Sequence, residues 1–437
     1  QGYASTGKRI PQTRHAMDTP AEPDYDPGAE GEFQAEGEPL AGQGYDTLAH
    51  IYQQESEASG CKVNYLVTRS LLEAFEAGQE TFSIESPGCH PMTFSSRLGD
   101  ADVEVFVKVF RESLPFLVQL DLSNNNITDV GADQLARGLL GSRAERLLGL
   151  SLRANKVGPC GCQSLCQALR ECPAVQSVDL SHNPLGRVGG LAVVSLLQEA
   201  PRLSQLCVAD AELDIDVLVA MADTLLPGKV RLGHLDIENP RIGTLQEEHT
   251  VHLGRMLRTN PHLSEIRLGK LRMRDEGVRQ LVSFLVENKT LRVLDLRCNE
   301  LGADGARHLG TLLSNDCQLT LLSLSSNRIG EKSNVHGAEA LAKALLANRM
   351  LRALDLNCNE LCGEALQLLA EAVDQNSTLE VMALFHNHWN QTSSLKFHNI
   401  LNDRSRLLPF RADFVTSQVD ERIDICKLDG FDLTPGR

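Results

Sequence analysis

The segment LRVLDLRCN, residues 291–299, indicates the fold of this chain because its pattern recurs along most of the sequence. The pattern reads L-x-x-L-x-L-x-x-N and returns roughly every 28 to 31 residues, a period typical of stacked repeats. Other clear copies are LVQLDLSNN (117–125), LLGLSLRAN (147–155), VQSVDLSHN (175–183), LTLLSLSSN (319–327), LRALDLNCN (351–359) and LEVMALFHN (379–387). Weaker copies near Leu203, Leu232 and Leu263 keep the apolar spacing but lack the asparagine. About ten repeats therefore cover roughly residues 115 to 400.

Each repeat combines one short strand with one helix. The last two leucines of the pattern are two residues apart, so they point to one face of a strand and are buried together. Segments such as 302–313 and 337–347 carry apolar residues at spacings of three and four, which predicts helices. An asparagine amide both donates and accepts hydrogen bonds, so we expect the repeat asparagines to link the turns of neighbouring repeats. These are Asn125, Asn155, Asn183, Asn299, Asn327, Asn359 and Asn387.

This alternation predicts an α/β fold, a right-handed leucine-rich-repeat solenoid. Stacked strands would form a parallel β-sheet on the concave face of a horseshoe, with the helices on the convex face. A period of about 28 to 29 leaves room for a full helix in each repeat, which is typical of the ribonuclease-inhibitor type.

Composition narrows the function classes. The 437 residues carry a formal charge of −16, which disfavours direct binding of nucleic acid or anionic membranes and favours basic protein partners. No apolar run approaches a membrane span, so the sequence predicts a soluble, intracellular protein with its 12 cysteines reduced. Because the chain starts at Gln1 without a methionine, we expect it to be part of a longer product.

The segments outside the repeats predict three further regions. Residues 1–45 form an acidic extension rich in proline and glycine, and 46–115 an N-terminal helical cap with helices near 68–77 and 100–113 and a loop at 83–92. The solenoid occupies 116–400. Residues 401–437 form a C-terminal cap and extension, in which a helix over 397–407 leads into an extended segment over 412–430. An insertion at 331–335 predicts a surface loop or, alternatively, a partner contact.

A more specific resemblance comes from the centre of the chain. The segment TLQEEHTVHLGRMLRTNPHLSEIRLGK (244–270), followed by MRDEGVRQL (273–281), resembles the leucine-rich-repeat-containing protein 34 family, and the resemblance runs from about Val63 to Ile425. It implies a non-enzymatic protein of testis and other ciliated or germ-line settings, similar to the repeat proteins that decorate motile axonemes. A nuclear or nucleolar role in germ and stem cells is the alternative that it implies.

The candidate partner-binding site is the outward-facing strand position between the last two apolar residues. Aspartate occupies this position in every second repeat, which predicts either an acidic stripe that receives basic side chains or simply a solvated strand face. The candidate concave-face residues are Asp121, Asp179, Asp236, Asp295, Asp355, Arg153, Arg267, Arg297 and Phe385.

Other chemistries are disfavoured. Ribonuclease inhibition would need aromatic anchors, yet Phe385 is the only aromatic residue at an outward strand position and Trp389 lies just beyond the last strand. No segment matches the catalytic loop of a Ran GTPase activator. The CGCQSLC segment (160–166) lacks the paired C-x-x-C spacing of zinc sites and predicts buried thiols instead. His182, His249, His252 and His386 are interpreted as surface or capping residues, so no catalytic residue, metal, cofactor or small-molecule substrate is predicted.

Two functional hypotheses remain. The first is a structural adaptor in a motile cilium or flagellum, a subunit of a large axonemal complex clamped by both terminal extensions. The second is a regulator or inhibitor that binds one globular partner in the concave face, possibly in the nucleus. Both are protein-binding functions without catalysis, and they differ in the surface that is used.

Overall fold

A computed structural model describes residues 44–92, 97–142, 144–226, 230–243, 248–403, 409–419 and 422–435. The chain divides into two units, Gln1–Pro39 and Leu40–Arg437. The first unit lies outside the described residues, and so does nearly all of the acidic extension predicted for 1–45. Only the second unit is described below.

Twelve strands form one parallel sheet in chain order, and ten of them, β2 to β11, coincide with the ten predicted repeats. The strands are β1 Phe82–Glu85, β2 Leu117–Asp121, β3 Gly149–Ser151, β4 Ser177–Asp179, β5 Gln205–Cys207, β6 His234–Asp236, β7 Glu265–Arg267, β8 Val293–Asp295, β9 Leu321–Ser323, β10 Ala353–Asp355, β11 Val381–Ala383 and β12 Arg411–Ala412.

Helices alternate with these strands, as the apolar spacing predicts. They are α1 Tyr45–Ala58, α2 Tyr65–Glu76, α3 Asp100–Phe110, α4 Asp129–Ser142, α5 Pro159–Arg170, α6 Gly186–Glu199, α7 Ile215–Thr224, α8 Glu248–Thr259, α9 Asp275–Leu285, α10 Ala303–Ser314, α11 His336–Ala347, α12 Gly363–Gln375 and α13 Gln391–Asn402.

One continuous aliphatic core joins the strands to the helices. The two leucines of each strand pattern point into it, and Leu294 and Leu296 are both 0% exposed. Each fully buried leucine contributes about 1.5 to 3 kcal/mol, so the repeated pattern accounts for much of the stability. The opposite face of the sheet, here called the strand face, carries the outward positions. The predicted α/β solenoid of leucine-rich repeats is confirmed.

The predicted loop at 83–92 is wrong at its start, because β1 lies there. Phe82 and Ile84 alternate with polar residues and are 1% and 0% exposed, so they extend the core by one strand that pairs in parallel with β2. Helix α1 was not predicted at all. The helix predicted over 100–113 ends at Phe110, and a short 3₁₀ helix, Leu114–Phe116, follows where Pro115 enters.

The C-terminal part differs from the prediction in detail. The last helix begins at Gln391 rather than at 397, because the Asn390 side chain caps it by accepting from Ser393 N at 2.8 Å. The extended segment predicted over 412–430 is mainly a hairpin, β13 Phe414–Val419 and β14 Arg422–Lys427. The boundaries between caps and solenoid stay predictions, since one sheet runs through them.

The structure also describes the cysteines and the insertion at 331–335. All 12 cysteines are free, and Cys162, Cys166 and Cys172 lie in the core as predicted, whereas Cys160 is exposed. The insertion forms an exposed 3₁₀ turn, Glu331–Ser333, which confirms a surface loop. Among the described helices, none combines the length and apolar character that crossing a membrane requires.

Candidate functional site

The repeat asparagines form the predicted ladder beneath the strand face. Asn299 donates through Nδ2 to the carbonyl oxygens of Leu268, at 3.0 Å, and Leu296, at 2.9 Å, while its Oδ1 accepts from Met273 N at 3.0 Å. Each such side chain therefore joins its own turn to the turn of the preceding repeat. Asn359, beside the insertion, is the exception, because its buried Oδ1 has no hydrogen-bond partner in the part of the chain that the structure describes.

A second set of asparagines, which sequence reasoning missed, lies where a helix returns to the next strand. Asn288 accepts from Leu291 N at 2.7 Å through Oδ1 and donates through Nδ2 to the Leu257 carbonyl. Asn260, Asn348 and Asn376 repeat this arrangement. The N-x-x-L spacing that recurs before β7, β8, β10 and β11 was the available signal.

The first ladder is interrupted in the middle of the sheet. Register places Ala211, Pro240 and Leu271 where other repeats carry asparagine, and none of these side chains can bridge two turns. The turn itself is kept, because the preceding residues Asp210 and Lys270 have positive φ (both 55°), as the corresponding residues do in the other repeats. The centre of the molecule thus has the same backbone with different side-chain links.

The predicted stripe is a continuous row across the strand face. Asp121, Ser151 and Asp179 are partners in register, and the row continues through Cys207, Asp236, Arg267, Asp295, Ser323, Asp355 and Ala383. Each aspartate accepts a hydrogen bond from the backbone N–H two residues later, at 2.8 to 3.1 Å. The stripe aspartates therefore also fix the turn that follows each strand, a role not foreseen from the sequence.

Burial divides the stripe into two parts. Asp121 and Asp179 are half-buried, but Asp295 and Asp355 are each only 7% exposed. Burial raises the pKa of Asp236 and Asp295, and raises that of Asp355 to about 6. A uniformly solvated acidic face, one of the two interpretations of the sequence, is therefore not what β6 to β10 present.

Charged side chains on β6, β7, β8 and their turns form an ion network. Glu238 is central: its carboxylate lies 3.4 Å from Lys270 Nζ and 3.2 Å from Arg297 Nη2. Arg297 Nε also lies 3.0 Å from Asp295 Oδ2, an ion-pair contact without hydrogen-bond alignment. Glu238 and Lys270 were not predicted, although their position just after each strand could have indicated them.

A second branch of the network lies along the strands. Arg267 donates to Glu265 at 2.9 Å and lies 3.8 Å from Asp236. His234 Nδ1 lies 3.1 Å from Glu265, and this hydrogen bond lowers the pKa of the Glu265 carboxyl. The side chains of Arg267 and Arg297 remain 39% and 40% exposed. The network is thus ordered by its internal pairs and still open to a partner.

Gly269 allows Glu238 and Arg297 of the first branch to approach each other. It lies between Glu238 and Arg297, and a Cβ atom there would come within 2.9 Å of Glu238 Cδ and 3.2 Å of Arg297 Cγ. Any larger residue would push these side chains apart. The glycine is needed for close approach rather than for a special backbone conformation.

The remaining candidate residues lie apart from the network. Arg153 is exposed near the start of the sheet, and Phe385 is half-buried near its end, with its N–H donating to Asp413 at 3.1 Å. The interpretation of His249 as a surface or capping residue is wrong: it is 1% exposed on α8, and neither ring nitrogen has a hydrogen-bond partner among the described residues. Burial lowers its pKa. Within the described ranges, no cluster of three or more His, Cys, Asp or Glu side chains could hold a metal.

Comparisons with known proteins agree with this geometry. The Leucine Rich repeat family model matches residues 113–136, 171–194, 287–310 and 347–370. Ribonuclease inhibitor from Sus scrofa is 28% identical over 70% of this chain and 66% of its own length. Leucine-rich repeat-containing protein 34 from Mus musculus is 29% identical over 49% of this chain and 50% of its own length. The chain thus spans about two thirds and half of these relatives.

The described unit has a leucine-rich-repeat fold. The predicted resemblance to leucine-rich-repeat-containing protein 34 is confirmed. The match covers 49% of the chain, which is less than the range from about Val63 to Ile425 that the sequence predicted. Among solved structures, the mouse RP105/MD-1 complex has a TM-score of 0.40 and 20% identity over 68% of this chain and 41% of that chain. Leucine-rich-repeat proteins are typically interaction scaffolds without catalytic activity.

Proposed function

We propose that this chain is a non-enzymatic scaffold that binds a partner protein on the strand face at β6 to β8. The observation that carries the proposal is the ion network, which is partly exposed and placed where the asparagine ladder is interrupted. Because its side chains hold one another in position, binding would cost little additional side-chain ordering. A complementary pattern of charges on the partner would then give specificity.

Similarity to ribonuclease inhibitor supports a mode in which a globular partner docks on the repeats. Ribonuclease itself is not singled out, because tight interfaces usually depend on aromatic anchors and the network contains no Trp, Tyr or Phe. The partner is better described by its chemistry: a surface with basic and acidic side chains that pair with Glu238, Lys270 and Arg297.

Charge reversal at the network tests this function. We expect Arg297→Glu to reduce co-purification of the partner from ciliated cells by about tenfold, because it places a like charge beside Glu238 and Asp295. The matched control is Arg279→Glu on α9, whose side chain is 52% exposed and paired only within its own helix. Quantitative mass spectrometry of the captured proteins gives the result, and equal recovery with both variants would refute a strand-face site.

For the location of the scaffold we propose the axoneme of motile cilia or flagella, with the nucleus as the alternative. Support comes from the resemblance to leucine-rich-repeat-containing protein 34. Fractionation of demembranated cilia in about 0.6 M salt, where exposed ion pairs are screened, tests it. Retention with the axoneme is expected, and recovery only in soluble or nuclear fractions would count against it.

A further inference from the structure

The C-terminal strap, residues 428–435, folds back from the end of the sheet over the strand face. It follows β14, and Leu428 N donates to the Asp413 carbonyl at 2.9 Å. Arg411 on β12 fixes its course: Nη2 donates to the Thr434 carbonyl at 2.7 Å, and the guanidinium lies 5.9 Å from the centre of the Phe431 ring. The strap therefore starts at the last strand of the sheet and runs back toward its middle.

The strap and the sheet enclose a cleft of about 450 Å³. Residues 432–435 form one wall, and the other wall comes from four neighbouring strands and their turns. That wall includes Arg267, Arg297, Asp295, Ser323 and Asp355. The cleft thus contains both arginines of the ion network, and the strap extends over one side of the proposed binding surface.

Outward residues that line the cleft are more buried than their counterparts near the start of the sheet. Ser323 and Ser151 occupy the same outward position, on β9 and β3, but Ser323 is 5% exposed whereas Ser151 is half-buried. Asp355 and Asp179 differ in the same way. Asp236 on β6 is also only 6% exposed although it does not line the cleft, so neighbouring side chains contribute to this burial beside the strap.

Among the described residues, the strap is held mainly by hydrogen bonds and by the contact of Arg411 with the Phe431 ring. Asp432 and Thr434 are exposed, and Asp432 Oδ1 accepts from Thr434 N at 2.9 Å, a bond internal to the strap. Gly430 turns the chain with φ +73°, a conformation that favours glycine. An aliphatic side chain, Leu433, is only half-buried. Such a segment can open locally without unfolding the repeats.

We propose that the strap is a removable cover over the strand face at β7 to β10, which overlaps the proposed binding surface at β7 and β8. The inference rests on the proposed function in one respect, namely that a partner bound at β6 to β8 must displace the strap to extend its contact to the cleft over β8 and β9. A tethered segment is present at a high effective concentration, so it competes with any partner at this position. The strap would then lower affinity for weak partners and make binding more selective.

Thiol labelling tests the cover without any partner. Ser323→Cys is reacted with a bulky maleimide in three forms of the chain: intact, truncated after Lys427, and carrying Arg411→Gln, which keeps the strap but loses its hydrogen bond. Peptide mass spectrometry separates this thiol from the native cysteines. We expect labelling at position 323 to be about tenfold faster after truncation and intermediate in the point variant.

The matched control is Ser151→Cys. Ser151 occupies the same outward position on β3 but does not line the cleft, so its labelling rate should be equal in the three forms. Equal rates at position 323 in all three forms, with circular dichroism showing a native fold, would overturn the proposal. Faster labelling at both positions would also overturn it, because truncation would then have loosened the whole sheet. The labelling experiment requires no partner. A failure of the proposed function would instead be detected by the Arg297→Glu experiment, which measures capture of the partner.

Discussion

Asp355 is more deeply buried than Asp121, the aspartate at the equivalent position near the start of the sheet. It makes the same turn bond as Asp121, from Asn357 N at 3.1 Å, but it is also close to Ser323 Oγ at 3.1 Å. Burial is the main cause that raises its pKa from 3.8 to about 6, with Asp413 and Asp295 adding to the effect. Its carboxylate is therefore costly to ionise in the folded chain.

This pKa predicts a pH-dependent stability with a definite sign. In the unfolded chain the carboxyl loses its proton near pH 3.8, but in the folded chain only near pH 6. The contribution of Asp355 to the free energy of unfolding therefore falls as pH rises from about 4 to 6, by an amount on the order of 3 kcal/mol. Asp355→Asn, which keeps the oxygen that accepts from Asn357, should remove this loss.

Urea unfolding at pH 4 and pH 7 measures how the free energy of unfolding depends on pH. We expect the free energy of unfolding of Asp355→Asn to exceed that of the original chain by about 2 to 3 kcal/mol at pH 7. At pH 4 the two values should be nearly equal. Asp121→Asn, with the same turn bond at a half-buried position, is the control and should change less. If the difference in free energy of unfolding between Asp355→Asn and the original chain is the same at both pH values, the raised pKa of Asp355 is contradicted.

Sequence reasoning located the stripe residues but not their environments. Strict alternation along short strands is enough to place Asp295 and Asp355 on the outward face. It cannot show that residues 432–435, far along the chain, cover them. Nor can it show that Glu238 and Arg297 meet across Gly269, because this contact depends on the register of three neighbouring strands.

Among the elements, the hairpin β13–β14 closes the C-terminal end of the aliphatic core. Phe414 is 1% exposed, and its ring lies 4.9 Å from that of Trp389 and 5.8 Å from that of Phe397. A similar cluster of Tyr45 and Phe82, with rings 5.2 Å apart, lies at the other end. The few aromatic side chains are thus concentrated where a repeat has no neighbour to cover it.

Truncation of one aromatic side chain tests this end cap. We expect Phe414→Ala to lower the free energy of unfolding by about 3 to 5 kcal/mol, because it leaves a cavity among aromatic rings. Val415→Ala, at the next residue with a side chain 47% exposed, should be nearly neutral. Denaturant unfolding of both variants measures the contrast, and equal effects would argue against a capping role for the hairpin.

Elements inside the repeats were predicted more accurately than those at the ends. Strands β2 to β11 recur with a fixed pattern, so each copy reinforces the others. Strand β1 and helix α1 have no such support, because each occurs once and its pairing depends on neighbours that come later in the chain. The hairpin similarly looked like a single extended segment, since the turn between its strands carries no strong glycine or proline signal.

For the whole molecule, the period alone predicts the order of the sheet. Within the twelve-stranded sheet every strand pairs with the next in sequence, so candidate binding positions lie in chain order along one surface. The centre of that surface is distinguished by a missing ladder, a network of ion pairs and a strap that reaches toward it. These three features together define where we expect the partner to bind.

Site-specific photo-crosslinking tests that expectation most directly. A benzophenone amino acid replaces Gln205, an exposed strand-face residue paired in register with His234, and in a separate chain it replaces Arg279 on the helix side. After irradiation in ciliated cells, we expect one partner to be enriched from position 205 and not from position 279, and to be lost when Arg297→Glu is added. Enrichment of the same partner from position 279 alone would contradict binding on the strand face.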